Sequence, residues 1–184
     1  MHPSLWKPCW SVKMNTRYHS WSYRRAMGEF RYSSAVCTCR TNMSCRSPIR
    51  ANINLASGAS PAHGSFDVVA HTTNAGLTVA FVEQALHSRL VASLQTTNAP
   101  ASVKMHPAFE GQFELRSSFF LPPTLTEGRV RDPAGLGRVR MVAKHGVGPG
   151  AVAGSVSWGT GARNVQSNGR VEVQTTNAPL QFSL

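Results

Sequence analysis

The sequence predicts an all-β fold in which strand–turn–strand repeats form a stacked sheet, a sandwich or a short β-solenoid, preceded by a poorly ordered N-terminal tail. Three observations predict it. The tetrapeptide Thr-Thr-Asn-Ala occurs at residues 72–75, 96–99 and 175–178. Apolar residues alternate with period two on both sides of every copy, the signature of a strand with one buried face. No 3.6-residue period lasts anywhere; residues 82–90 (VEQALHSRL) are the best short helical candidate.

Taken in chain order, residues 1–50 come first. They hold nine Lys/Arg and a single acid, Glu29, so +8 of the chain's +11 lies there. All four cysteines and three of the four tryptophans lie there too. Aromatic residues sit among Ser, Arg and Pro with no lasting period, which is the composition of a poorly ordered segment. An Arg/Ser-rich start is also the composition of a transit peptide. Basic residues interleaved with aromatics would support weak, non-specific attraction to nucleic acid, and no specific nucleic-acid partner. Cys37, Cys39 and Cys45 lack the second ligand pair of a zinc site, so no metal is expected. Residues 51–65 read as a small-residue linker, and residues 66–184 as the β-repeat domain.

Each repeat is numbered from its asparagine, and Asn74, Asn98 and Asn177 are the expected structural turns. Before them lie Phe66, Val68 and Ala70; Leu90, Ala92 and Leu94; Gly169, Val171 and Val173. After them lie Leu77, Val79 and Phe81; Ala101, Val103 and Met105; Leu180, Phe182 and Leu184. From the last apolar position before each Asn to the first one after it is an odd step. A straight strand cannot keep one face buried across an odd step. The chain must therefore reverse as a hairpin or turn a corner as in a solenoid. Asn suits such a turn because it tolerates left-handed backbone angles and bonds neighbouring main chain. Pro100 and Pro179 fix the exit angle, with Gly76 in their place in the first copy. Between the second and third copies the alternation is broken: Phe113 and Leu115 precede Pro122-Pro123, and Val139, Met141, Ala143 and Val152 are interrupted by glycines. About seven to nine short strands are expected in all.

Chemistry is harder to find. Seven acids of the β region join no motif, and read as exposed charge. His71, His87, His106 and His145 show no metal-ligand spacing. The glycine clusters at 134–138 and 146–154 lack the features of phosphate loops, and no serine sits in a nucleophile elbow. Arg129, Arg131, Arg138, Arg140 and Lys144 read as a solvated hairpin face, with an acidic or phosphate partner as the alternative. No catalytic, cofactor-binding or metal-binding residue is assigned, and no cofactor is expected. An enzyme would need a site assembled by the fold, for which His106, Glu110 and Arg140 are the candidate set.

From residue 51 to residue 184 the chain resembles a group of fungal proteins, mainly from mushroom-forming species, with recurring TTNAP, TSNAP or TSNG turns. The matching pieces are HTTNAG, QTTNAPASVKMHPAFEGQFELRSS, RDPAGLGRVR, GSVSWG and GRVEVQTTNAPLQFSL. More distantly it is similar to adhesin-like β-repeat domains. The resemblance implies a β-rich repeat domain, often carried behind a membrane-spanning segment, and transfers no activity. No apolar run here reaches the length of a span, so the chain as written reads as soluble where its relatives are membrane-associated. The functional expectation is a non-enzymatic β-repeat domain, structural or adhesin-like, with a cell-surface or protein partner. The alternatives are an enzyme with a fold-assembled site, or nucleic-acid association through residues 1–50.

Overall fold

The computed structural model describes residues 48–55, 65–86, 88–118, 120–159 and 169–184, together with the backbones of four strands nearer the N-terminus. Those four are β1 (Trp10–Met14), β2 (His19–Arg24), β3 (Glu29–Ser34) and β4 (Cys39–Cys45). The remainder are β5 (Ile49–Leu55), β6 (Ser65–Thr72), β7 (Leu77–Gln84), β8 (Arg89–Thr96), β9 (Ala101–Lys104), β10 (Gly111–Arg116), β11 (Thr124–Thr126), β12 (Arg140–Gly148), β13 (Ala151–Trp158), β14 (Gly169–Thr175) and β15 (Leu180–Ser183). The fold is all-β. No helix occurs among the described residues: the 82–90 candidate is instead the end of β7, a tight turn closed by Ser88 N–H on the Ala85 carbonyl, and the start of β8.

An eight-stranded sheet runs in the order β1-β4-β6-β8-β14-β10-β13-β12, and a five-stranded sheet in the order β11-β15-β9-β7-β5. Neither closes into a barrel; β2 and β3 form a separate ribbon. Every apolar position of the three repeats faces the space between the two large sheets and is buried. The two arms of a repeat do not pair with each other. β6, β8 and β14 lie in the first sheet while β7, β9 and β15 lie in the second, so each Thr-Thr-Asn-Ala is a corner between sheets and no hairpin forms. Corresponding arms of different repeats pair in parallel and in register. Leu90 is opposite both Phe66 and Gly169, and Ala101 is opposite both Leu77 and Leu180. The result is two sheets packed face to face, in which each strand–corner–strand unit buries a face that it could not bury alone.

Sequence order and spatial order differ. The third repeat, β14–β15, does not extend the stack at its end. It lies between β8–β9 on one side and β10–β11 on the other, hydrogen-bonded in parallel to all four strands. The β12–β13 hairpin then continues the first sheet beyond β10, antiparallel, with a bulge between Lys144 and Gly146. The insertion brings Phe182 of β15 against Phe113 of β10, ring centroids 5.6 Å apart, so the chain terminus is part of the central core.

At the other end, β5 begins at Ile49, inside the N-terminal segment, and runs into the region read as a linker, before the expected start of the repeat domain. Ile49, Ala51, Ile53 and Leu55 alternate inward and pair in parallel with β7, so they behave as one more arm of the stack. The backbone of β4 pairs likewise with β6. The expectation of a poorly ordered tail falls mostly on residues 1–47, of which only the four strand backbones are described; most of the 51–65 linker, residues 56–64, lies outside the described residues. Ten strands, β6 to β15, are found among the described residues of the region expected to hold about seven to nine.

Candidate functional site

The three Thr-Thr-Asn-Ala segments form the corners between the two large sheets. The four residues divide the work. The leading threonines, Thr72, Thr96 and Thr175, are buried, and so are Ala75, Ala99 and Ala178. Thr72 Oγ1 donates to the Ala75 carbonyl, and Thr175 Oγ1 donates to the Ala178 carbonyl at 2.7 Å. Each hydroxyl thus satisfies a carbonyl that the bend would strand inside. Small alanine lets the chain cross close to its neighbour. The asparagines face outward and stack: Asn177 Nδ2 donates to Asn98 Oδ1 at 2.9 Å, and Asn98 Nδ2 to Asn74 Oδ1 at 2.8 Å. Backbone bonds carry the same register, with Asn98 N–H on the Thr73 carbonyl at 3.1 Å and Asn177 N–H on the Thr97 carbonyl at 3.0 Å. Each asparagine lies in the bend between two strands and links one unit to the next.

Beside the corners, the outer face of the five-stranded sheet carries a groove of about 340 Å³. Pro48, Pro100 and Pro179 form one wall, and Arg50, Thr78, Ser102 and Gln181 form the floor. The floor residues are register partners on β5, β7, β9 and β15, with Thr124 of β11 opposite Gln181 at the end of the row. Their spacing is that of parallel strands, about 4.8 Å. The result is a shallow row of hydroxyl, amide and guanidinium groups across five strands.

A second cluster gathers residues that the sequence left scattered. The Asp132 side chain is only 4% exposed, which corrects its reading as surface charge. It accepts the backbone N–H groups of Ala134, Leu136 and Arg138, each at 3.0 Å, and the Arg138 guanidinium at 2.9 Å. Those donors, the Arg138 side chain first, hold its carboxyl far below the usual carboxylate range, and Arg138 is raised in return. Gly135 and Gly137, both at φ 68°, let the loop wrap the carboxylate. Arg138 also lies 3.8 Å from Glu110 and 5.9 Å from the centre of the Trp158 ring, whose indole N–H reaches the Pro107 carbonyl at 3.0 Å. Three segments distant in sequence, 107–110, 132–138 and Trp158, are pinned together here.

The basic run does not form one face. Arg129 and Arg131 precede the loop, Arg138 turns to Asp132, and Lys144 meets Glu127 at 3.0 Å. His106, Glu110 and Arg140 are not joined to one another by any described contact. His106 Nδ1 accepts the Ala108 N–H at 3.1 Å, and burial lowers its basicity against the opposing pull of Glu83. Glu110 faces Arg138. Arg140 is lowered by burial, opposed by Glu127, and its Nε and Nη2 are enclosed without a hydrogen-bond partner. On the outer face of the first sheet, Glu114 is shared by Arg116 and Arg170, and the Arg116 bond lowers its pKa. One contact that the sequence did not suggest is His145 Nε2 to Ser155 Oγ at 2.8 Å, across the β12–β13 hairpin.

Among the described residues no three His, Cys, Asp or Glu side chains gather as a metal site, and no helix is long and apolar enough to cross a membrane. The nucleic-acid and cysteine readings rest on side chains of residues 1–47, outside the described set. No protein-family model, no curated protein and no solved structure matches the chain.

Proposed function

We propose that this chain is a non-enzymatic β-repeat module, structural or adhesin-like, that binds a cell-surface partner through the outer face of its five-stranded sheet. The observation that carries this reading is the row Arg50, Thr78, Ser102, Gln181 and Thr124 beside the proline wall. A rigid surface that repeats small polar groups at strand spacing suits an extended ligand with its own polar repeat, such as a surface glycan chain. In further support, most of the ionised side chains described near one another form ion pairs on the scaffold, which leaves them little freedom for acid–base work. The test is to probe glycan and cell-surface arrays with the chain, alongside Ser102→Tyr, which fills the middle of the groove from an outward-facing position. Retention on a glycan or cell-surface feature that Ser102→Tyr abolishes, with unchanged far-UV circular dichroism, supports the reading. Binding indifferent to the groove, or no retention on any surface, counts against it.

A second reading, an enzyme with a fold-assembled site, is favoured by the single contact between His145 and Ser155. It predicts that a serine-directed fluorophosphonate labels Ser155 and that His145→Ala abolishes the labelling. An unlabelled Ser155 removes that reading.

A further inference from the structure

The position of β14–β15 points to an interaction between copies of this chain. We infer that the slot between β8–β9 and β10–β11 can accept residues 169–184 of a second copy in place of the chain's own, linking copies by strand exchange. The inference stands on topology alone and is independent of the groove reading.

The slot is defined on both sides. β14 pairs with β8 from Gly169 opposite Leu90 to Thr175 opposite Thr96, and with β10 from Arg170 opposite Gln112 to Gln174 opposite Arg116. β15 pairs with β9 and β11 in the same manner. Val171, Val173, Leu180 and Phe182 reach 1% exposure or less there. The β14–β15 unit comes after β8, β9, β10 and β11 in sequence. Everything that walls the slot precedes it in sequence, so the slot is bounded by unpaired strand edges until the C-terminal segment arrives. Unpaired parallel edges bind whatever strand matches their pattern.

What matches is specified by the corner as well as the arms. Residues 174–179 read QTTNAP, identical to residues 95–100 on the neighbouring unit. In-register stacking then sets the Thr176 N–H on Thr96, the Asn177 N–H on Thr97 and the Asn177 amide on Asn98. Any segment 169–184, from its own chain or from another, makes the same contacts. A second copy of this chain is therefore the partner that the slot fits.

The connection leaves the choice open. β13 and β14 flank β10, so two strand spacings of about 10 Å separate them, and they meet at the same end because Val156 and Arg170 lie beside Gly111 and Gln112. Residues 160–168 span about 30 Å when extended, three times the need. Closure within one chain is favoured by an effective concentration in the millimolar range. Exchange is then expected where chains are crowded as they fold, a low-cost route to assembly.

The test has two parts. Deleting residues 160–168 joins Gly159 directly to Gly169, a single Cα step of about 3.8 Å, so the segment cannot reach its own slot. The deleted chain is expected to be a dimer or larger closed assembly by light scattering, with the parent's strand signal and melting midpoint. A monomer that keeps that midpoint overturns the proposal. Where the deleted chain does not fold, the full-length chain decides. Glu172 and Ser93 are register partners, within disulfide reach. Chains carrying Glu172→Cys are mixed with chains carrying Ser93→Cys, unfolded, refolded together at high concentration and oxidised, with each single variant alone as a control for the native cysteines. A 172–93 linkage between chains, absent on dilute refolding, is the expected result. Its absence at high concentration, when the double variant links 172 to 93 within one chain, overturns the proposal; failure of that in-chain link overturns it as well.

Discussion

Replacing the corner asparagines one at a time separates a stacked ladder from three independent turns. Asn98 makes two side-chain bonds, one to each neighbour, whereas the described contacts of Asn74 and Asn177 include one each. The bonds are exposed, so each belongs at the low end of the range for a neutral hydrogen bond, about 0.5 kcal/mol. Asn98→Ala should then cost about 1 kcal/mol, and Asn74→Ala and Asn177→Ala about half that. For a chain of this size about 1 kcal/mol corresponds to a melting shift of about 2–4 °C. Any change in the intrinsic turn preference is common to all three copies and cancels in the comparison. The assay is equilibrium urea unfolding of the three single variants and of two pairs. Asn98→Ala with Asn177→Ala should show a coupling of about 0.5 kcal/mol, while Asn74→Ala with Asn177→Ala, which share no contact, should be additive. Equal costs at the three positions, or coupling between 74 and 177, would refute the ladder and return each asparagine to a purely local role.

Other predictions concern the interior. Gly154→Ala should destabilise by about 1–3 kcal/mol, because its methyl would run into the Ala143 carbonyl and stand 2.5 Å from Phe113 Cζ; an unchanged unfolding midpoint would show that β12 and β10 do not press on β13 as described. Thr175→Val keeps the shape of a buried side chain and removes the donor to Ala178, so a loss of about 1–2 kcal/mol is expected in urea unfolding, and a neutral result would mean that the carbonyl has another donor. Asp132 is depressed in the folded state, so its contribution is present above the ordinary carboxylate value, about 3.9, and is lost as pH falls through its lower folded value. Unfolding midpoints measured from pH 5 to pH 2 should fall at the acid end and fall less steeply in Asp132→Asn, which should already be less stable at pH 5; parallel acid limbs for parent and variant would contradict this.

Much of the architecture was legible in period-two alternation, because burial of one strand face imposes it directly. The apolar positions of the three repeats lie inside as that rule requires, whereas Val139, read as strand-like, is exposed and precedes β12. The odd step across each corner limited the chain to a hairpin or a bend between sheets. Deciding between them needed partners, since nothing local to Thr72 or Asn74 says that their neighbours are Thr96 and Asn98. The β5 arm was missed because Arg50, Asn52 and Asn54 made residues 49–55 look polar, although Ile49, Ala51, Ile53 and Leu55 keep the alternation. The Asp132 cluster was illegible for a different reason. Its carboxylate is enclosed by the 132–138 loop, which folds back around it through two glycines at positive φ, where the sequence shows only Asp-Pro-Ala-Gly. The groove was invisible for the same reason as the order of the units. Thr78, Ser102 and Gln181 are ordinary outward residues until parallel stacking sets them in a row.

The central claim is that the third repeat in sequence lies in space between two earlier units, β8–β9 and β10–β11. Native-state hydrogen exchange of the amides in β14 and β15 tests it most directly. A strand pair held on both sides opens only with the whole sheet, so residues 171–175 and 180–182 should exchange as slowly as those of β8 and β10, up to the C-terminus. Protection that fades from Gly169 towards Leu184, as at a fraying edge, would contradict the account.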